Sequence, residues 1–171
     1  NDLGQFAANL TYTHVRQYEF SGVPGMVNGL LDSGVYDASG TTGDGNLVRS
    51  MPDNKGTLTL SWRNGNQGIT LINRHIGSYR DLGYEGALTT ANDFSRALLS
   101  REIDSYYTWD MQYNYNKAWD NTNLGSTTFT VGLLDAFNKT LPYRELSSLN
   151  YDATVFEGRG QRWYARALWS F

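Results

Sequence analysis

Cysteine is absent from the 171-residue chain, and histidine occurs only twice. The lack of cysteine excludes disulfides, a thiolate nucleophile and a cysteine-ligated zinc site. His14 and His75 stand 61 residues apart, and neither belongs to a group with metal-ligand spacing. No serine, threonine or carboxylate has a base beside it in a nucleophilic pattern. We therefore predict no bound metal, no cofactor and no enzymatic activity.

Long apolar runs and blocks of basic residues are also missing. No stretch approaches the roughly eighteen apolar residues of a membrane-spanning helix, which excludes a helical membrane protein. The 14 Lys and Arg against 17 Asp and Glu leave a net charge of -3, so a general nucleic-acid partner is not expected. The first residues lack a signal-peptide pattern, which predicts either a mature start or a piece of a longer chain. An aromatic content of 14% argues against disorder.

Apolar and polar residues alternate with a period of two along most of the chain, which predicts an all-β fold. Within residues 55–63, for example, Leu58, Leu60 and Trp62 share one face. Thr57 and Thr59 share the other. The alternation predicts six strands, at 4–20, 55–63, 67–80, 102–116, 123–134 and 163–171.

The third predicted strand, residues 67–80, does not alternate cleanly. Ile69 and Leu71 lie on one parity, whereas Ile72 and Ile76 lie on the other. A bulge could shift the register there, so its faces are not assigned from sequence.

The connections between these strands alternate between long and short. Their approximate lengths are 34, 3, 21, 6 and 28 residues, for 21–54, 64–66, 81–101, 117–122 and 135–162. In an antiparallel meander, alternate connections lie at the same end of the sheet, so one end carries tight turns and the other carries long loops. This asymmetry is typical of outer-membrane β-barrels and uncommon in compact soluble domains.

Aromatic residues gather near both ends of the predicted strands, as in the two aromatic girdles of a membrane barrel. The belt at the turn end comprises Phe6, Trp62, Tyr113, Tyr115, Trp119, Trp169 and Phe171. The belt at the loop end comprises Tyr18, Phe20, Tyr79, Tyr106, Tyr107 and Trp163.

In such a barrel the polar parity faces the lumen, which gives the lumen-facing set Thr57, Thr59, Arg63, Asp110, Gln112, Asn114, Arg162 and Arg166. Charged residues beside the 81–101 connection, including Arg80 and Asp81, are expected to form solvated ion pairs at the rim.

Seven segments, taken in order, resemble the C-terminal part of TonB-dependent outer-membrane receptors. They are Met51–Leu58, Ile103–Tyr113, Leu133–Asn138, Leu141–Tyr143, Asn150–Ala153, Gly158–Tyr164 and the terminal Phe171. In that family a strand ending in an N-L-F-D-like sequence precedes P-P-Y-like and Y-D-like elements, a G-R-R-Y-Y-like element and a last strand ending in Phe. This chain departs from the pattern at Leu134 and Ala136, at Gln161, where a second Arg is common, and at Arg166, where Gly is frequent.

The resemblance implies that residues 1–171 are the last six strands of an antiparallel transmembrane β-barrel of 22 strands. The plug domain, the TonB box and the earlier strands would then lie outside this sequence. Such receptors import a scarce nutrient, an iron–siderophore complex, cobalamin or an oligosaccharide, with energy supplied through TonB. Loops 21–54, 81–101 and 135–161 would lie outside the cell and contribute to substrate capture, although the resemblance assigns no substrate-binding residue.

The same resemblance implies partners and a location. The protein would be integral to the outer membrane of a Gram-negative cell, in contact with lipid, its own plug, the remaining strands and TonB. Trp169 and Phe171 would act as lipid anchors and as the signal read by the barrel assembly machinery.

Two other interpretations remain open at this stage. Extra strands within 21–54 and 81–101 would raise the count to eight and complete a small outer-membrane barrel, acting as an adhesin, a pore or a lipid-acting enzyme. Alternatively, the strands could form a soluble carbohydrate-binding β-sandwich whose core face is rich in aromatic residues.

Overall fold

A computed structural model of the protein describes residues 3–21, 35–37, 39–42, 50–81, 101–119, 125–144 and 147–171. Within these ranges the chain forms strands, turns and loops but no helix, so the predicted all-β class is confirmed. No helical segment with the length and apolarity needed to cross a membrane occurs in the described residues.

The strands are numbered in chain order. They are β1 (Gln5–His14), β2 (Glu19–Ser21), β3 (Val35–Asp37), β4 (Thr41–Thr42), β5 (Asn54–Asn64), β6 (Gln67–Ile76), β7 (Tyr79–Asp81), β8 (Arg101–Ile103), β9 (Tyr106–Ala118), β10 (Ser126–Leu134) and β11 (Arg162–Ser170).

Six of these strands form one antiparallel sheet in the order β1-β5-β6-β9-β10-β11. Each overlaps one of the six strands predicted from the alternation and pairs with the next of the six along the chain. The predicted strands 4–20, 67–80 and 102–116 are too long, because the short strands β2, β7 and β8 are separate from the main sheet there. The sheet is open, with β1 and β11 at its two edges. Its strands are long, from 9 residues in β10 and β11 to 13 in β9.

Pairing between β5 and β6 is unbroken, from Lys55 opposite Ile76 to Asn64 opposite Gln67. The bulge considered for this strand is therefore absent. Directly paired residues share a face, so Ile69 and Leu71 lie beside Trp62 and Leu60. Ile76 points to the opposite face, where it packs against a small buried cluster beyond the end of the sheet.

Among the connections between neighbouring strands of the six-stranded sheet, the shortest joins β5 to β6. It is a two-residue turn made by Gly65 and Asn66. Gly65 has φ of 55°, whereas Asn66 does not have a positive φ. Glycine with positive φ at the first central position is the pattern of a type II′ turn, whose twist matches that of the flanking strands. The turn therefore sets the register of the hairpin.

Short described strands beside the long connections form two small sheets. Strand β7 pairs with β4 in parallel and with β8 in antiparallel fashion, and β2 pairs with β3. Within the described residues none of these short strands joins the six-stranded sheet. The buried apolar residues of the described chain also lie here: Tyr79, Ile103, Tyr106 and Phe156.

Candidate functional site

One face of the six-stranded sheet is apolar and exposed to solvent. Val131 is 55% exposed and Trp163 is 78% exposed. Other exposed apolar or aromatic side chains on this face are Phe6, Leu10, Leu60, Ile69, Met111, Tyr113, Phe129 and Trp169. Phe171, just beyond β11, is almost fully exposed and packs edge-on against Trp169 with ring centroids 5.8 Å apart. A soluble sheet normally hides such a face.

The opposite face is polar, and its side chains bond to one another. Asn114 Oδ1 accepts hydrogen bonds from Thr130 Oγ1 at 2.9 Å and from Gln112 Nε2 at 3.0 Å. Strand pairing brings the eight residues of the predicted lumen-facing set onto this one face. Whether the face lines a lumen stays a prediction.

Glycine at position 132 makes room for a bond that crosses β10. Gly132 pairs with Gln112 on one side and with Tyr164 on the other. A Cβ at this position would overlap the Tyr164 ring, which therefore lies directly over the glycine. The Tyr164 hydroxyl donates to Gln112 Oε1 at 2.8 Å, linking β11 to β9 across the intervening strand.

Residues 141–144 and 147–161, here called the cap, fold over the loop end of the polar face. Phe156 inserts between Tyr106, with ring centroids 5.2 Å apart, and Tyr79, with centroids 6.3 Å apart. This places Tyr79 and Tyr106 in the cap core, so their predicted position in an exposed aromatic belt is wrong. The reason is tertiary: Phe156 arrives from a distant segment and covers both rings.

An ion pair between the cap and β7 is also buried. Arg144 Nε donates to Asp81 Oδ2 at 2.8 Å, and the two side chains are only 12% and 3% exposed. The expected solvated rim charge at Asp81 is thus wrong, because Arg144 and the cap cover it.

Asp152 ties the cap to two remote segments. Its carboxylate accepts hydrogen bonds from the Ser50 hydroxyl, from Tyr79 OH at 2.9 Å and from Thr154 Oγ1 at 2.6 Å. Burial alone would raise the pKa of Asp152, but these hydrogen bonds outweigh it and hold the pKa below its ordinary value. Burial, reinforced by the nearby Asp152 carboxylate, raises the pKa of the Tyr79 phenol far above its ordinary range. The ionised carboxylate of Asp152 therefore accepts a hydrogen bond from the neutral phenol of Tyr79.

A cleft of about 380 Å³ lies between the cap and the polar face of the sheet. Its wall contains the ends of four long strands and one side of the cap: Arg74, Ile76, Tyr106, Thr108, Asp110, Leu134, Asp135, Val155, Phe156, Glu157, Gly160 and Arg162. Arg74 forms an ion pair with Asp110, whose other carboxylate oxygen accepts the backbone N–H of Asp135 at 2.9 Å.

Arg162 has one donor that its protein neighbours do not satisfy. Glu157 divides its two carboxylate oxygens between Arg159 Nε and Arg162 Nη2, each at 3.1 Å. Because Glu157 is shared in this way, it engages only one N–H of Arg162. The Nε of Arg162 is buried and has no hydrogen-bond partner among the described residues. The Nε itself is inaccessible from the cleft, but the Arg162 side chain is 35% exposed, so its other guanidinium N–H groups can donate to an oxygen acceptor there.

A larger concavity, of about 970 Å³, lies at the turn end of the same face. Amide and hydroxyl side chains contribute most of its polar lining, including Gln5, Ser61, Asn66, Asn114, Asn116 and Thr128. Arg63 also lines this concavity. The predicted lumen-facing set is therefore split, with Asp110 and Arg162 in the cleft and Arg63 and Asn114 here.

Several residues of the cleft and the cap are not identifiable from sequence, above all Tyr106, Phe156 and Glu157. Their roles depend on the cap folding back onto β9. The only signal in the chain is that Phe156 and Glu157 directly precede the last alternating segment. The described residues contain no group of three or more potential metal-ligating side chains. The capture loops 21–54 and 81–101 fall largely outside the described residues.

Comparisons with protein-family models, curated sequences and solved structures find no match for this chain. The two faces of the sheet, the cap and the cleft are therefore the features that bear on function.

Proposed function

We propose that the chain is the C-terminal part of the wall of a TonB-dependent outer-membrane receptor, a β-barrel that imports a scarce nutrient. The observation that carries the proposal is the polarity of the sheet. Its apolar face is exposed, whereas its polar face carries hydrogen-bonded side chains and holds both cavities. A barrel in lipid requires this arrangement, since its outer surface meets hydrocarbon and its interior meets water.

Strand length supports the same proposal. The six strands have 9 to 13 residues. A tilted strand crosses the hydrocarbon layer with about 9–11 residues. All six are therefore long enough to span a bilayer, with the short turns at one surface and the cap at the other.

The open edges of the sheet favour a larger assembly. Among the strands that the structure describes, β1 and β11 each have one backbone edge without a neighbouring strand. Unpaired edges in hydrocarbon would leave N–H and C=O groups unsatisfied, so a membrane-spanning sheet must close through further strands. In the proposed receptor, those strands come from the rest of the parent protein.

The two other interpretations have less support. A complete eight-stranded barrel needs extra strands in the main sheet, but the short strands found near the long connections pair in separate small sheets. A soluble sandwich buries the apolar face of one sheet against a second. Here that face is exposed, and the cap packs against the polar face instead.

The first experiment is to detect the native protein with an antibody against residues 158–171 after separating inner and outer membranes. Scaling 19.2 kDa from six strands to 22 predicts a band of about 70 kDa before any plug is added. We expect a band of that size or larger in the outer membrane, migrating faster when the sample is left unheated. A band near 19 kDa in the membrane would instead favour a small barrel, and a soluble band would refute the proposal.

A further inference from the structure

The lining of the cleft has no excess of basic groups. Two guanidinium groups, those of Arg74 and Arg162, stand against three carboxylates, those of Asp110, Asp135 and Glu157, while Arg159 pairs with Glu157 without lining the cleft. Arg74 is paired with Asp110, and Glu157 is shared by the other two arginines. A site for a strongly anionic ligand needs an excess of basic groups, which this cleft lacks.

The cleft nevertheless offers both donors and acceptors at close range. The side chains of Arg162 and Arg74 line the cleft and are 35% and 51% exposed, so both guanidinium groups keep N–H donors within reach of a ligand. The Glu157 side chain is 59% exposed and can accept further hydrogen bonds. Hydroxyl groups both donate and accept, so a polyhydroxyl ligand suits this mixture better than a simple ion does.

Apolar side chains also line the cleft. Ile76, Leu134, Val155 and Phe156 contribute to this lining, with Tyr106 beside Phe156. The Tyr106 hydroxyl donates to the carbonyl oxygen of Lys139 at 3.2 Å, so the phenol is already occupied and presents mainly its ring. Such a site combines apolar surface with a few polar groups that orient the ligand. A sugar ring likewise combines apolar C–H faces with polar hydroxyl groups at its edges.

We propose that this cleft binds an uncharged saccharide, with Arg162 and Glu157 as its hydrogen-bonding residues. The inference rests on the proposed function, because in a receptor barrel the cleft lies inside the mouth beneath the cap. It narrows the imported nutrient to a neutral sugar or oligosaccharide, and it assigns the exposed N–H groups of the Arg162 guanidinium to a ligand hydroxyl.

The test uses the full-length protein purified from the outer membrane in detergent. The protein is first applied to an array of neutral glucan, xylan and mannan oligosaccharides. The same array carries uronic-acid oligosaccharides as charged comparisons. A ferric tris-catecholate siderophore, whose iron complex is anionic, is tested in solution. The tightest neutral glycan is then titrated calorimetrically against the wild type, Arg162→Ala, Glu157→Gln and Arg166→Ala. Arg166 is the matched control, since it lies on the same face of β11 but outside the cleft. Heat-modifiable migration checks that each variant is folded.

We expect neutral glycans to bind, and Arg162→Ala and Glu157→Gln each to weaken binding by about tenfold, as the loss of a hydrogen bond to a charged group does. Arg166→Ala should change affinity less than twofold. Absence of neutral-glycan binding, stronger binding of the charged ligands, or equal effects of Arg162→Ala and Arg166→Ala would each overturn the inference.

The receptor proposal and the saccharide-site proposal can be refuted independently of each other. An outer-membrane barrel of the expected size that binds no neutral glycan would refute the saccharide site and leave the receptor intact. A protein from the soluble fraction that binds glycans through Arg162 would refute the receptor and keep the site.

Discussion

The cap and the six-stranded sheet are stabilised in opposite ways, although they are parts of one chain. Where the cap packs on β7, Tyr79 and Phe156 are buried, and the carboxylates of Asp81 and Asp152 are covered and hydrogen-bonded. In the sheet, apolar side chains such as Val131 are exposed on one face. The cap therefore resembles the interior of a small soluble domain, whereas the sheet hides its apolar surface only if something else covers it.

This difference indicates two environments. Burial of apolar groups with satisfied polar groups stabilises a structure against water, and the cap has both. The sheet instead depends on backbone pairing and on cross-strand bonds over its polar face, such as Tyr164 to Gln112. Its exposed apolar face fits a bilayer.

Arg144→Ala should have the largest effect, because it leaves the buried Asp81 carboxylate without its guanidinium partner. Removing one member of a buried ion pair costs about 3–5 kcal/mol. We expect the cap to open while the sheet persists. Hydrogen exchange by mass spectrometry should show lost protection over 141–161 with β10 unchanged. Unaltered protection of the cap would mean that this pair does not hold it in place.

Leu60→Arg and Thr59→Arg separate the two faces of the sheet. Leu60 lies on the exposed apolar face and Thr59 on the polar face. If Leu60 meets lipid near the midplane, the arginine should destabilise the barrel by about 2–4 kcal/mol, whereas Thr59→Arg should cost much less. Urea titration of the full-length protein refolded into lipid vesicles measures both. Equal losses would contradict the assignment of the faces.

Acidification should loosen the cap through Asp152. Its pKa in the folded state lies below its unfolded value, so the ionised form stabilises the fold above the unfolded pKa. This stabilisation is lost as the pH falls through the folded pKa, which places the effect below about pH 4. Protection factors of the cap amides should decline there. Asp152→Asn should weaken the cap at neutral pH by about 1–3 kcal/mol and flatten the acid response.

Gly132→Ala and Gly56→Ala form a matched pair within the sheet. A Cβ at Gly132 would overlap the Tyr164 ring, whereas at Gly56 the nearest atoms are 3.8 Å away. We expect Gly132→Ala to cost about 1–3 kcal/mol, because Tyr164 must move and lose its bond to Gln112. Gly56→Ala should be near neutral. The same vesicle titration distinguishes them, and similar losses would show that the Tyr164 contact is not limiting.

Arg159→Ala should have the smallest effect. The Arg159–Glu157 pair is exposed, at 72% and 59%, and pairs of this kind contribute at most about 1 kcal/mol. A loss above that value in thermal unfolding would show that the rim of the cleft is more rigid than its exposure indicates.

Much of the sheet was predictable, because alternation is a local property. The positions of the six strands and the sharing of one face by Thr59, Asp110 and Arg162 follow from the period of two. The alternation is less clear over residues 67–76. Ile76 is apolar but lies on the polar face, because it packs against the buried cluster under the cap, and the strand has no bulge.

The cap and the cleft could not be predicted in the same way. Tyr79 and Tyr106 are aromatic residues near strand ends, and sequence alone cannot distinguish a membrane belt from a buried core. Asp81 and Arg144 are 63 positions apart, and Ser50 and Asp152 are 102 apart. Nothing in the local pattern links such distant residues.

The amino-acid sequence by itself determined the strands, their two-faced character and the alternation of long and short connections, because each arises from neighbours within a few positions. Tertiary structure alone decided which aromatic residues are buried, which charges are paired and where the cleft lies. Those outcomes depend on the cap packing against the ends of β6 and β9, a contact between segments that are remote in the chain.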